Sequence, residues 1–313
     1  MSSSRPRSIS TPRRVVAVAA ILLATACLIA GWIVPTTVVV QWMAWAPRAL
    51  VIAAALAGVA ASMGRWRLVG TSILAVSLVQ SWSTTAAWRP VPSLDGAISI
   101  MHVNARHPGR MAADWARALT GLDADVIVVT ECGRLAGTGL DEAWRSEGRS
   151  VIQRGNAMVA SRLACDVARS LGVGSGVQAT WFRLQLAPVG TMDLVAVDLP
   201  SSASECRTPA LESLHQALAL EGANPDVIVG DFNTTPIAPQ RVLLPDGVEA
   251  FSVAGSGCGS TFPREWPLVR IDQTLVGAAW QPIRAETFDP GLGAHRGQLV
   301  WIRLMDRAAA RTR

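Results

Sequence analysis

Residues 1–90 contain no Asp and no Glu, yet they hold eight arginines and three long apolar runs. A stretch so poor in balancing charge is not built like half of a soluble domain, and its runs have the length of membrane spans. The first, Val15–Val34, carries no charge; at about 1.5 Å rise per residue, about 20 residues cross a hydrocarbon core of about 30 Å. The second, Ala49–Gly64, extends back through Met43-Ala44-Trp45, with Pro47 near its start. The third, Leu68–Trp82, is interrupted by Thr71, Ser72, Ser77 and Gln80. Trp32, Trp42, Trp45, Trp66, Trp82 and Trp88 cluster at the ends of these runs, as aromatic residues do at membrane interfaces. Residues 1–90 are therefore expected to form an anchor of three transmembrane helices that meets membrane lipid through residues 15–88.

Arginine sets the expected orientation. Arg5, Arg7, Arg13 and Arg14 precede the first run, Arg65 and Arg67 fill the turn between the second and third, and only Arg48 lies between the first two. The positive-inside rule puts the N-terminus in the cytoplasm and, after three crossings, the rest of the chain outside the cell membrane. Without the third crossing that part would face the cytoplasm. A cleaved signal peptide fits less well, because its apolar region is shorter and no further runs follow it. Ala24-Thr25-Ala26-Cys27 is similar to a lipoprotein cleavage site, but the apolar run continues past it.

The same partition removes a tempting inference from charge. The net charge of +5 and pI near 9.6 would ordinarily point to a nucleic-acid footprint. Of the 28 basic residues, however, eight lie in the anchor; the other 20 stand against all 23 acids, leaving residues 91–313 at −3. Five cysteines are too few for a disulfide framework in 313 residues. Cys206 and Cys258 both fall in predicted loops of a part expected outside the cytoplasm, so they are expected to pair; Cys132 reads as a buried thiol.

Arg89-Pro90-Val91-Pro92 is a stiff juncture and marks the start of a second domain over residues 91–313. Short apolar runs then alternate with helical patterns. Strands are predicted at Ile98–Val103, Asp125–Thr130 and within Gln153–Arg162. An antiparallel pair is predicted from Gln178–Leu186 and Asp193–Leu199, and further strands at Asp226–Val229, Leu268–Val276, Gln281–Thr287 and Gln298–Leu304. Helices are predicted where Met111, Trp115, Ala118, Leu119 and Leu122 recur, and around Leu211, Leu214 and Leu218. Many strands with few helices imply an α/β fold, a layered sandwich on two mainly antiparallel sheets.

The most informative motif is Gly230-Asp231-Phe232-Asn233, directly after the apolar Val227-Ile228-Val229. A carboxylate and an amide two residues apart at a strand end can handle a divalent cation and donate to a phosphoryl oxygen. Alone, the pattern is also ordinary turn chemistry. Asn104 and Glu131 likewise end predicted strands, and Arg270-Ile271-Asp272 and Ala294-His295-Arg296-Gly297 flank the last ones. Polar residues at successive strand ends converge on one edge of a layered α/β protein. His102 shares the alternation of Asn104 and is a packed or cleft-adjacent residue. His107 reads as a surface loop residue, His215 as solvated, and Asp123 and Asp125 as a helix-to-strand turn.

In order and spacing, residues 97–304 resemble the endonuclease/exonuclease/phosphatase superfamily. The resemblance rests on Asn104, Glu131, Gly230–Asn233, Asp272 and His295. Thr235-Pro236 is similar to its membrane-anchored bacterial members, and Gly259-Ser260-Thr261-Phe262-Pro263 to the loop before the Asp272 strand. It implies a four-layer α/β sandwich and a phosphoesterase using Mg²⁺ (or Mn²⁺). Glu131 would bind the metal with Asn104 beside it, Asp231 would orient or deprotonate water, Asn233 would hold the phosphate, and His295, held by Asp272, would stabilise the oxyanion or transfer a proton. Two positions depart from the family pattern: Asp198 stands where a His is usual, and Ala294 where an Asp usually precedes the terminal His. A carboxylate beside a phosphate repels it unless a cation intervenes or the carboxylate is protonated. The expected function is thus a metal-dependent phosphodiester or phosphomonoester hydrolase acting on nucleic acid or a lipid head group. The alternative is a catalytically degenerate binding or scaffold module. The sequence names no protein partner.

Overall fold

Apolar runs that lack polar alternation and end abruptly are the pattern of strands covered on both faces. The computed structural model describes residues 11–30, 54, 68, 69, 71, 72, 74, 75, 86, 87, 89, 90, and 92–305 apart from 189, 203, 223, 237, 239–243, 245 and 246. The chain divides into two units, Met1–Ser83 and Thr84–Arg313. In the first, helix α1 spans Thr11–Ala30. Among the described residues, no helix is long and apolar enough to cross a membrane. The end of the first predicted span, nearly all of the second and more than half of the third lie outside the described residues.

In the second unit the order is β1 (Ala86–Ala87), β2 (Ile98–Asn104), α2 (Ala112–Thr120), β3 (Val126–Thr130), α3 (Leu140–Ser146), β4 (Ser150–Arg154), β5 (Ala157–Ser161), β6 (Cys165–Ser170), β7 (Gln178–Leu186) and β8 (Gly190–Asp198). There follow α4 (Thr208–Leu220), β9 (Val227–Asp231), β10 (Val248–Glu249), α5 (Ala250–Ala254), β11 (Gly257–Cys258), β12 (Asp272–Val276), β13 (Trp280–Phe288) and β14 (Gly297–Leu304). Two six-stranded sheets, ordered β13-β14-β2-β3-β5-β4 and β10-β12-β9-β8-β7-β6, carry the fold. Each is mixed: β2 and β3 run parallel in one, β8 and β9 in the other, and the remaining pairs are antiparallel. Each parallel pair brackets a helix, because a parallel connection needs a crossover.

Side-chain alternation sorts the apolar residues into three layers. Ile100, Val126, Val128, Leu194, Ala196, Val227, Val229 and Val276 fill the seam between the sheets. Their neighbours Met101, Val103, Ile127 and Val129 pack under Trp115, Leu119 and Trp144 of α2 and α3. Val195, Val197 and Ile228 pack under Leu211, Leu214 and Leu218 of α4. The result is an α/β sandwich with helices outside two stacked sheets.

The predicted strand at Leu268–Val276 is shorter in the structure. β12 starts at Asp272, whereas Val269 bridges Phe262 and closes a small hairpin. The predicted Cys206–Cys258 bond is not formed. Among the described residues no disulfide occurs; Cys206 lies near Thr208 Oγ1, and Cys258 sits on the short β11. Cys132 is buried, as expected, and burial pushes its thiol up to about 11.

One glycine fixes how the sheet can pack beside the Asp231 strand end. Gly230 has φ 152°, and a Cβ built there would lie 1.9 Å from the Val197 carbonyl oxygen of β8. No rotamer change relieves a clash with backbone. Gly230→Ala should therefore cost about 2–4 kcal/mol and lower Tm by about 5–15 °C. Thermal unfolding checks this; an unchanged Tm would mean that β8 and β9 are not this close.

Candidate active site

The alternation that fills the seam with aliphatic side chains also dictates what stands at its end. Counting in twos from Ile100 reaches His102 and Asn104; from Val126 and Val128, Thr130; from Leu194 and Ala196, Asp198; and from Val227 and Val229, Asp231. Asp272, four residues before the seam residue Val276, has the same parity. In register, Asp231 lies beside Asp198 on one side and Asp272 on the other, and Asn104 beside Thr130. Polar groups from both sheets therefore meet at one end of the seam.

The Asn104 amide joins them. Its Nδ2 donates to Glu131 Oε1 at 2.9 Å and to Asp231 Oδ2, in the facing sheet, at 3.0 Å. Its Oδ1 accepts from the Arg106 backbone at 2.8 Å. Asn104 thus orients two carboxylates from beside Glu131. Asn233 is similarly committed: its N–H donates to Asp231 Oδ1 at 2.8 Å, and its Nδ2 to the Leu199 carbonyl at 2.8 Å. Glu131 and Asn233 both have positive φ, at 48° and 45°. For Glu131, a left-handed backbone costs about 1–3 kcal/mol, strain of the kind found at functional sites.

His295, on the loop before β14, places Nδ1 2.9 Å from Asp272 Oδ2 and 3.8 Å from Asp231 Oδ2. The Phe262 ring lies against the imidazole, with centroids 5.1 Å apart. Asp198 faces the same cleft and accepts from Asn156 Nδ2 at 3.5 Å. Two groups of potential ligand atoms, Glu131–Asp198–Asp231 and Asp231–Asp272–His295, each lie within 4.8 Å of one another. Four carboxylates in a small, partly dry volume repel, and the proton affinities of Asp231 and Asp198 record it. Burial, with Asp272 facing it, raises Asp231 well above the usual carboxylate range. Burial and the Glu131 charge push Asp198 up to about 7. Burial would raise Asp272 as well, but its contact with His295 holds it below the ordinary value. A divalent cation among these oxygens would relieve the repulsion, and hard carboxylate donors suit Mg²⁺ or Mn²⁺.

All seven residues singled out in the sequence, Asn104, Glu131, Asp198, Asp231, Asn233, Asp272 and His295, thus come together. Several others at the site were missed. His107 is exposed, but its Nε2 lies 3.4 Å from Glu131 Oε2 at the cleft mouth. Thr130, Asn156 and Gln298 also reach the seam's end. Gln298, which starts a predicted strand, was open to the same parity count; Asn156, of the opposite parity to the seam residues Ala157 and Val159, and His107, on a loop, gave no such signal.

The Asp272 contact gives His295 a pH signature. Burial alone would lower its proton affinity, but Asp272, with Asp231 and Glu131 behind it, pushes the imidazole up to about 9. The stabilisation is complete below the unfolded value near 6.5 and fades as pH rises through about 9. In chelator, wild-type stability should fall across that window by on the order of 2 kcal/mol relative to His295→Gln. Urea unfolding at successive pH values measures this, and parallel curves for the two proteins would refute the ion pair.

No protein-family model matches the sequence, and no curated protein matches it. Solved structures do match in fold. An endonuclease/exonuclease/phosphatase family protein from Bacteroides thetaiotaomicron is 14% identical with a TM-score of 0.52, covering 67% of this chain and 98% of its own. A humanized D. rerio TDP2 is 15% identical with a TM-score of 0.53, covering 66% and 99%. A 3′ phosphatase, NExo, from Neisseria, bound to a product DNA hairpin, is 13% identical with a TM-score of 0.51, covering 65% and 98%. Residues 84–313 therefore contain the fold of the endonuclease/exonuclease/phosphatase proteins.

Proposed function

We propose that this chain is a metal-dependent phosphoesterase, with Asp231, Asp272 and His295 as its reacting and supporting groups. The observation that carries this reading is the pairing of His295 with Asp272 beside Asp231, at the seam end where Glu131 and Asp198 also converge. When bound, Mg²⁺ or Mn²⁺ held by Glu131, Asp231 and Asp198 would supply Lewis-acid polarisation of a phosphoryl oxygen. Asp231, held in place by Asn104 and Asn233, takes a proton from the attacking water. The water oxygen forms the new P–O bond as the ester P–O bond breaks, and the leaving oxygen takes a proton from the medium. His295, kept charged by Asp272, stabilises the phosphoryl oxygens as negative charge builds on them.

Asp198 fits this scheme as a third carboxylate toward the cation. Its position, register-paired with Asp231, gives the departure from the family's usual His a chemical use. We extend the proposal to a membrane-tethered enzyme on the outer face, on the evidence of the Arg distribution and of α1, where Val15, Val16, Leu22 and Leu23 are all exposed. A lipid head group or nucleic acid would serve as substrate. NExo with its DNA product supports the latter, whereas the −3 charge of residues 91–313 weakens general polyanion attraction.

The test is hydrolysis of a bis-aryl phosphodiester by the full chain with Mn²⁺, with EDTA, and by Asp231→Asn. EDTA should abolish turnover and Mn²⁺ restore it, while Asp231→Asn should lose about 10²–10⁴-fold in kcat. Absence of turnover with retained Mn²⁺ binding would instead establish the binding-module alternative. Activity that survives both EDTA and Asp231→Asn would refute the proposed chemistry.

A further inference from the structure

His102 occupies a place the scheme above does not use. It lies on β2, two residues before Asn104, and its parity turns it into the seam among Ile100, Val126 and Val128. The side chain is 0% exposed, as is that of Asp272. Its Nε2 is 2.9 Å from Thr130 Oγ1. Its Nδ1 faces Asp272 Oδ1 at 3.8 Å, and neither atom has another hydrogen-bond partner. The opposite oxygen, Oδ2, is the one that meets His295. The Asp272 carboxylate is thus bracketed by two imidazoles, one toward the cleft and one behind it.

Two tautomers of a neutral His102 are conceivable, and the geometry separates them. With the proton on Nε2, a lone pair on Nδ1 would confront a carboxylate oxygen in a dry site, and two buried polar atoms would repel. With the proton on Nδ1, an N–H points at Oδ1, and the freely rotating Thr130 hydroxyl donates to Nε2 instead. Only the second turns a positive N–H instead of a lone pair toward the carboxylate oxygen while keeping the Thr130 contact, so it is the favoured one. At 3.8 Å the contact is a charge–dipole attraction and not yet a hydrogen bond; such contacts tighten when a site fills. The rest of Asp272 is already held: Gln298, the register partner of His102, donates from Nε2 to the Asp272 carbonyl at 2.7 Å.

Resting on the phosphoesterase reading, we propose that His102 is a positioning residue: its Nδ1–H steadies the rear oxygen of Asp272 and so fixes the angle at which Asp272 holds His295. An aliphatic residue would pack equally well against Ile100 and Val128 but would leave both Asp272 Oδ1 and the Thr130 hydroxyl without this partner.

Two substitutions split the imidazole into its halves. His102→Asn places an amide N–H near the position of Nδ1 and gives up Thr130. His102→Gln reaches toward Thr130 and gives up Asp272. The full chain has four histidines, so ¹⁵N-labelled imidazoles can be followed individually in the metal-free protein. Expected are an Nδ1-protonated His102 in the wild type, a His295 Nδ1–H signal kept by His102→Asn and displaced in His102→Gln, and a kcat loss of about 10–100-fold for Gln with KM unchanged. The Asn variant should stay within about threefold of wild-type kcat by keeping that orientation. An Nε2-protonated His102, or Asn and Gln variants that behave alike, overturns the proposal. If neither variant folds, the wild-type tautomer decides by itself. A wild type that hydrolyses nothing would sink the phosphoesterase reading, while the spectra would still judge His102.

Discussion

The hydrogen bonds from the Asn104 amide to Glu131 in its own sheet and to Asp231 in the other are the point on which the arrangement depends. Two stacked sheets with aliphatic faces hold each other by area, which fixes the layer spacing and leaves sliding cheap. A donor shared by carboxylates from both sheets is directional and buried, and its loss would leave charge unpaired where water does not reach it. That contact aligns the strand ends. Asp198, Asp231 and Asp272 are register neighbours by the ladder of their own sheet, and with the two sheets aligned Asp272 meets an imidazole on each side. The seam is thus a core for most of its length and a polar cleft at its last step.

That continuity explains what could be read without coordinates. Strands covered on both faces appear as apolar runs, and where a run stops at Asn104, Glu131 or Asp231 the polar residue stands at the seam's end. Convergence therefore followed from order and spacing alone. The less legible parts lacked such a signal. β6, at a sheet edge, has no buried residue and carries few large apolar side chains. β10 and β11 are two residues long, and α3 and α5 are short, α5 being held by the Glu249 carboxylate capping Phe251 and Ser252. Glu249 also pairs with the buried Arg270 guanidinium, a contact between residues 21 apart that no local pattern announces. Composition could not forecast the cysteines either, because pairing depends on where two loops end up.

Individual side chains show a sharper limit. Sequence could place Asn104 and Asn233 at the site but not say which end of each amide faces the carboxylates. Asn104 Nδ2 donates to Glu131 and Asp231, and Asn233 Nδ2 donates to a backbone carbonyl. The bonds they make hold Asp231 and Glu131 still, and the second N–H of the Asn233 amide and the second oxygen lone pair of Asn104 leave room for a further contact.

His295 poses the opposite problem, since it sits on an irregular loop and must nevertheless be as well fixed as a strand residue. The loop is held from two directions. The Phe262–Val269 hairpin binds it through Arg264 N–H to the Ala294 carbonyl at 2.7 Å, Arg296 N–H to the Thr261 carbonyl at 2.7 Å, and the Arg264 guanidinium to the Gly293 carbonyl and Asp289. From the other direction Trp115 of α2 presses on Gly293, where φ is 73° and a Cβ would lie 2.7 Å from the indole. Ala294 belongs to this clamp through its backbone, which any residue supplies. The absence of a carboxylate at that position therefore removes a possible ligand without loosening the histidine. Asp198 restores a carboxylate from the neighbouring strand, register-paired with Asp231, so the negative charge at the cleft is redistributed and not lost. On this geometry Asp198 and Ala294 are complementary: a carboxylate absent beside His295 is offset by one present beside Asp231.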